Sequence, residues 1–426
     1  MMDSVARGTL INLATRLAGV ALVLALTAIT ARIGTEAQGA FALFTSVEGV
    51  WLALLSGFGI ALARRVSHHG EQPTALVAAV VLACGALGVA GGMVLWAISA
   101  WGPPAYASLW ILALGAPWLL LAPNLQGLWL GEGRMAPMAR LAVAPPLIAL
   151  GLLLLLAPWV APTLPIVLGA WVVGKVVVGL AALVVLGWGG RLAPPDFGAL
   201  RREGRFIATI GLTNLIGLLN YRVGLFVIER TLGLSATGVY SIAIVVAELL
   251  WFVSGSLTQA VYGRIGNPDR MQAAATTVRV VQLSVAALLP AAPLLWLAAW
   301  LLVPAALGPA YAASLPLLAL LLPGVMLFGG GAALSAYFTN HVGAPQVPAQ
   351  VAAGSLLLNG SLSIGLAPLL GMPGVALAAS VSYAGGVLWM ASRFARHAGL
   401  PLRQVLAPGP QLRADLRLLW AMGRRR

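Results

Sequence analysis

Long apolar runs alternate with short polar punctuation along the whole chain. Counting runs of about twenty apolar residues predicts about twelve membrane-spanning helices. They lie near Thr9–Ala31, Gly39–Ala63, Thr74–Ser99, Tyr106–Leu130, Pro137–Ala157, Leu164–Leu186, Phe206–Ile228, Gly238–Val261, Thr276–Leu302, Tyr311–Phe338, Pro345–Leu366 and Val375–Arg393. The first run follows Arg7 as a signal peptide would. Arg16 interrupts it, and a matching segment recurs later, so it is read as a retained helix.

Orientation follows from the arginines. Arg64, Arg65, Arg134, Arg140, Arg191, Arg201, Arg202, Arg205, Arg264, Arg270 and Arg279 fall at every second loop, with Arg7 and the tail from Arg393 on the same side. Only Arg32 and Arg230 fall opposite, and Arg16, Lys175 and Arg222 lie within helices. That asymmetry predicts both termini in the cytoplasm. Connections on the other side are short, as at Trp101–Ala105 and Gly371–Pro373.

The loop Gly187–Arg205, with Pro194, Pro195 and four arginines, divides the chain into halves of six helices. The expected organisation is a first lobe over 1–190, a linker over 191–204, a second lobe over 205–394 and a basic tail over 395–426. The halves resemble each other. Glu48, Trp51 and Arg64 recur as Glu248, Trp251 and Arg264; Gly39-Ala40-Phe41 parallels Gly238-Val239-Tyr240; Pro117 parallels Pro323. Ala136-Pro137 and Ala157-Pro158 parallel Ala344-Pro345 and Ala367-Pro368. Six helices per repeat return the chain to its starting side, so the repeats run parallel. Such repeats place a substrate site between the halves. The fold class expected is an all-α integral membrane protein of two pseudo-symmetric six-helix lobes around a central cavity.

Composition agrees. The 426 residues are 60% hydrophobic and 8% charged, against about 25% charged in soluble domains. The net charge of +14 reflects loop arginines, not a clustered basic face, so no nucleic-acid partner is expected. Cys84 is the single cysteine; His68, His69, His341 and His397 form no metal or triad pattern. Neither a cofactor nor a metal is expected.

Charges inside the membrane are costly and mark cavities or partners. Asn12, Arg16 and Gly19 share one face of the first helix. Arg222 lies in the seventh beside Tyr221, with Asn214 and Asn220 nearby, and Lys175, the only lysine, lies in the sixth, near enough to its end to snorkel. Glu48 and Glu248 are the acids, the latter sharing a helix face with Ser241, Gly255 and Gln259. Two readings stay open. Either a glutamate neutralises Arg16 or Arg222 and locks the bundle, or Arg16 and Arg222, with Lys175, Asn12, Asn214 and Tyr221, line a cationic cavity. In the second reading Glu48, Glu248 and Gln259 serve structure, gating or ion coupling. A cationic cavity suits cargo with its own negative charge, such as a pyrophosphate. Asn124, Gln126, Gln259, Gln282, Asn340 and Asn359 are expected to act as interhelical hydrogen-bond glue.

Three stretches carry a family resemblance: RIGTEAQGAFALFTSVEGVWLALLSGFGIALARR (Arg32 to Arg65), NYRVGLFVIERTLGLSATGVYSIAIVVAELLW (Asn220 to Trp251) and ALGPAYAASLPLLALLLPGV (Ala306 to Val325). Together they resemble the polysaccharide transporters, O-antigen or lipid-linked oligosaccharide flippases, of the multidrug/oligosaccharidyl-lipid/polysaccharide (MOP) exporter superfamily. The resemblance implies a MATE-like fold and translocation of undecaprenyl-pyrophosphate-linked oligosaccharide across the bacterial inner membrane. It implies no enzymatic activity, a monomeric transport unit, and pathway partners such as a polymerase and glycosyltransferases. Carried over, Arg16 and Arg222 would contact pyrophosphate or acidic sugar. Members often carry an acid shortly after the Tyr-Arg pair; here that place is Gly224, with Glu248 the nearest substitute. Twelve helices argue against the lipid II flippase branch. A multidrug or small-metabolite exporter is the alternative, and it calls for acids where this chain has arginine. A membrane-embedded polymerase, ligase or glycosyltransferase would need a large loop or paired acids, and neither is present.

Overall fold

The computed structural model describes residues 2–69 and 73–407, with the side chains of 2–16, 68–69, 135, 259–260 and 263 outside the description. All regular structure in the described residues is helical. The first half contains α1 (Met2–Ile33), α2 (Thr35–Leu54), α3 (Gly57–His69), α4 (Thr74–Trp101), α5 (Leu109–Leu119), α6 (Leu121–Gly131), α7 (Met135–Leu156) and α8 (Leu164–Trp188). The long α9 (Phe197–Glu248) follows, then α10 (Leu250–Ala260), α11 (Tyr262–Ile265), α12 (Arg270–Leu307), α13 (Ser314–Gly330), α14 (Ala332–Ala336), α15 (Gln346–Leu370), α16 (Met372–Ala398) and α17 (Leu402–Leu406).

Among the described residues ten helices are long and apolar enough to cross a membrane. One of them, Phe197–Thr258, breaks at Gly233 and supplies two crossings, and α1 adds another through its apolar part Leu17–Ile33. The twelve expected spans are therefore present, and the chain is a multi-pass membrane protein. Several are interrupted where hydropathy reads through. The second expected helix is split at Leu55–Ser56, the fourth at Leu120 and the tenth at Gly331.

The repeat is visible in backbone detail. The first two helices of each half meet at a single glycine of positive φ, Gly34 (φ 151, ψ 165) and Gly233 (φ 84, ψ −179). A side chain is strained in that region, so each hairpin turns on one residue. A second correspondence was not singled out from sequence. Gly102-Pro-Pro-Ala-Tyr106-Ala-Ser108-Leu109 matches Gly308-Pro-Ala-Tyr311-Ala-Ala-Ser314-Leu315. Each forms a 3-10 turn, Pro104–Tyr106 and Pro309–Ala313, leading into the next span.

Two compact units divide the chain at Leu218/Leu219, within α9 rather than in the expected linker 191–204. The first unit holds the linker by two ion pairs and a backbone hydrogen bond. Arg191 reaches Glu132 at 2.6 Å, Arg65 reaches Glu203 at 3.0 Å, and the Asp196 amide donates to the Ala75 carbonyl at 3.1 Å. Beyond it, Gly57 and Gly211 allow backbone to meet backbone, Gly57 against Ile207 and Gly211 against Leu54. The basic loop thus carries its own acids, which the arginine pattern alone did not reveal. In the second unit α17 is tied to α12, because the Gln282 amide donates to the Gln404 and Ala407 carbonyls, each at 2.8 Å. Of the expected tail 395–426, α16 absorbs the start, and 408–426 lies outside the described residues.

Candidate functional site

Among the described residues each unit holds an intramembrane ion pair built around the repeated glutamate. In the first unit α2 carries Glu48, whose side chain is only 2% exposed. Its carboxylate accepts from Lys175 Nζ at 2.6 Å and from Trp171 Nε1 at 2.8 Å. Trp171 and Lys175 are one turn apart on α8, so both reach the same acid. The ammonium also lies 4.3 Å from the Trp171 ring centroid, and Phe41 meets that ring edge-on at 5.7 Å. Lys175 sits in the body of α8 and pairs inward; it does not snorkel to the helix end.

In the second unit Arg222 and Glu248 both lie on α9, on either side of the Gly233 turn. Nη1 meets Oε1 at 3.1 Å and Nη2 meets Oε2 at 3.2 Å, a two-point fork, with both side chains about a quarter exposed. An aromatic cluster surrounds the pair. Tyr221 packs on Trp251 at 4.8 Å and on Phe328 at 5.6 Å, and Phe328 on Tyr383 at 5.3 Å. A small cavity opens here, lined by Tyr221, Tyr240, Glu248, Trp251, Asn359 and Tyr383 among others.

Behind it lies a satisfied polar network. Asn220 donates to Ser355 at 3.1 Å, and its carbonyl accepts from Asn359 at 2.9 Å and Tyr383 at 3.3 Å. Ser363 donates to Asn359 at 3.1 Å. These bonds join α9, α15 and α16. Asn124 does the same in the first unit, accepting from the Gly59 amide at 2.9 Å. Asn124, Gln282 and Asn359 thus act as the expected glue.

Gly224 has a spatial reason to lack a side chain. A Cβ there would stand 3.0 Å from Val375 and 3.1 Å from the Tyr240 hydroxyl. Val375 and the buried Tyr240 would each have to give by a few tenths of an ångström to admit an acid there.

The structure therefore brings Arg222 to Glu248, as one reading had it, and Lys175 to Glu48, a pairing that sequence did not single out. Tyr221 joins the Arg222 cluster. Asn214 is exposed in the first unit, donating to Ser56 at 2.8 Å. Arg16 and Asn12 lie on α1 and Gln259 on α10, but their side chains fall outside the described residues. Among the described residues no three His, Cys, Asp or Glu side chains gather as a metal ion would require. Trp171, Tyr240 and Tyr383 were missed. The signal for Trp171 was its place one turn before Lys175.

No protein-family model and no curated protein matches the chain. Solved structures do. A multidrug-resistance MATE-family transporter of the MOP superfamily, inward-facing, matches with TM-score 0.72 and 15% identity over 91% of this chain and 98% of that one. The lipid II flippase MurJ in an inward closed conformation matches with TM-score 0.69 and 13% identity, over 94% and 89%. A MOP-superfamily transporter from Pyrococcus furiosus, described as having a binding pocket of reverse polarity that suggests a different function, matches with TM-score 0.63 and 16% identity, over 92% and 95%. The chain has the all-helical fold that MATE transporters and the lipid II flippase share.

Proposed function

We propose that the chain is a flippase that carries an undecaprenyl-pyrophosphate-linked oligosaccharide across the bacterial inner membrane by alternating access, with both termini cytoplasmic. The observation that carries this reading is the commitment of both deep carboxylates. Glu48 is held by Lys175 and Trp171, and Glu248 by Arg222. Neither stands as an open acid for a cationic drug. Arg16 is the further intramembrane charge in the sequence, and it is positive.

Arg222 has a suitable geometry for the cargo. Its guanidinium already grips a carboxylate at two points, and a phosphate presents the same fork of oxygens. Pyrophosphate would compete with Glu248 for that fork, so cargo binding and the Arg222–Glu248 pair become alternatives. Arg16, Asn12, Asn214, Lys175 and Tyr221 are the further candidate contacts, with Glu48, Glu248 and Gln259 in gating. The polymerase and glycosyltransferases of a polysaccharide pathway are the proposed partners.

Leaflet-resolved labelling of lipid-linked precursor in a deletion strain tests the proposal. Accumulation on the cytoplasmic leaflet is expected. Normal leaflet distribution together with drug hypersensitivity would instead establish the exporter alternative.

A further inference from the structure

The first unit presents arginines well beyond what its acids neutralise. Two carboxylates are each shared by two arginines. Glu203 lies 3.0 Å from Arg65 and 3.8 Å from Arg64; Glu132 lies 2.6 Å from Arg191 and 3.4 Å from Arg134. Sharing leaves each trio one positive charge in excess. The outer members, Arg64 and Arg134, stay 48% and 56% exposed. The trios are neighbours, because Gly131 at the end of α6 packs against Ala63 and Val66 of α3.

The start of α9 adds Arg201 and Arg205, one turn apart, exposed, and in no ion pair among the described residues. Apolar rings lie at the same end of the unit. Trp188 closes α8 three residues before Arg191 and is 87% exposed, and Phe197 opens α9 at 54%. Bare tryptophan at a span's end marks headgroup depth. The arginines thus stand at the level of lipid phosphate.

We infer that Arg64, Arg134, Arg201 and Arg205 form a docking surface for the phosphodiester headgroups of anionic phospholipid. Sharing Glu203 and Glu132 ties the linker to α3 through Arg65 and to the end of α6 through Arg191, while the outer partners Arg64 and Arg134 face the leaflet. This surface is independent of the cargo and of the Arg222–Glu248 pair.

The test uses the full-length chain, purified, exchanged into mixed micelles of phosphatidylglycerol and phosphatidylcholine, with bound lipid then quantified. The wild type should retain phosphatidylglycerol preferentially. Arg201→Gln/Arg205→Gln should lower that preference roughly 30-fold, at about one headgroup interaction per arginine. Arg403→Gln, on α17, should leave it unchanged, and high salt should weaken it in the wild type. Three results would each overturn the inference: no preference in the wild type, an undiminished preference in the double variant, or an equal loss in Arg403→Gln. Displacement of the lipid by inorganic phosphate at low concentration would mark a free-phosphate site and also overturn it. Unchanged unfolding temperature of the double variant in phosphatidylcholine guards against misfolding as the cause.

Discussion

Arg222 and Glu248 meet through two parallel contacts, 3.1 and 3.2 Å, from opposite sides of the turn at Gly233. Removing one partner strands the other charge at membrane depth, a loss of about 3–5 kcal/mol for a buried pair, reduced here by partial exposure. Arg222→Ala should lower the unfolding temperature in detergent, and Arg222→Gln/Glu248→Gln should recover most of it. Surface polysaccharide should be lost in both. Normal polysaccharide from the double variant would remove Arg222 from cargo binding. Arg222→Lys keeps the charge but not the fork, so it should also fail.

Trp171 is a cheaper probe of the first unit's pair. Its indole donates to Glu48 at 2.8 Å and its ring faces Lys175. Trp171→Phe keeps the ring and deletes the donor. A bond to a charged group contributes about 1.5–3 kcal/mol, so thermal unfolding should shift downward by that order. No shift would mean that the carboxylate is satisfied without the indole.

Gly224→Asp tests why this chain has no acid at the place where the resemblance leads one to expect it. A Cβ at this position would meet Val375 at 3.0 Å and the Tyr240 hydroxyl at 3.1 Å, so the substitution should reduce membrane-inserted yield. Gly224→Asp/Tyr240→Phe removes the obstructing hydroxyl and should restore part of that yield. Equal yields for all three proteins would refute the crowding argument.

Topology can be read by thiol labelling, because Cys84 is fully buried and the chain has no other cysteine. In intact cells Ala310→Cys should react with an impermeant reagent, and Arg202→Cys should react only after lysis. The reverse pattern would invert the orientation argued from the arginines.

The spans were legible because lipid demands long apolar runs, and the runs are long. The interruptions at Leu55–Ser56, Leu120 and Gly331 were not. An apolar residue scores the same whether or not its helix is continuous, and the close backbone approach at Gly57, just after the break in the second span, is a matter of packing. Sequence also isolated the charged residues at membrane depth without matching them. Glu48 and Glu248 occupy equivalent places, which suggests equivalent partners. Their bases instead come from non-equivalent helices, Lys175 from the sixth span and Arg222 from the seventh. The Gly102 and Gly308 turns were readable in principle, since their residues nearly repeat; the one-residue difference between the two prolines and the single one hid the match.

The Glu48–Lys175 pair also sets a schedule for synthesis. Its members are 127 residues apart, and ribosomes add about 5–20 residues per second, so Glu48 emerges roughly 6–25 s before its partner. The Arg222–Glu248 pair, 26 residues apart, completes within a single hairpin. The first unit therefore inserts with an unmatched carboxylate that the translocon's water must shelter until α8 arrives, whereas the second settles its charge at the outset. A nascent chain halted before α8 should remain engaged with the insertion machinery, and one halted after it should be released into the bilayer.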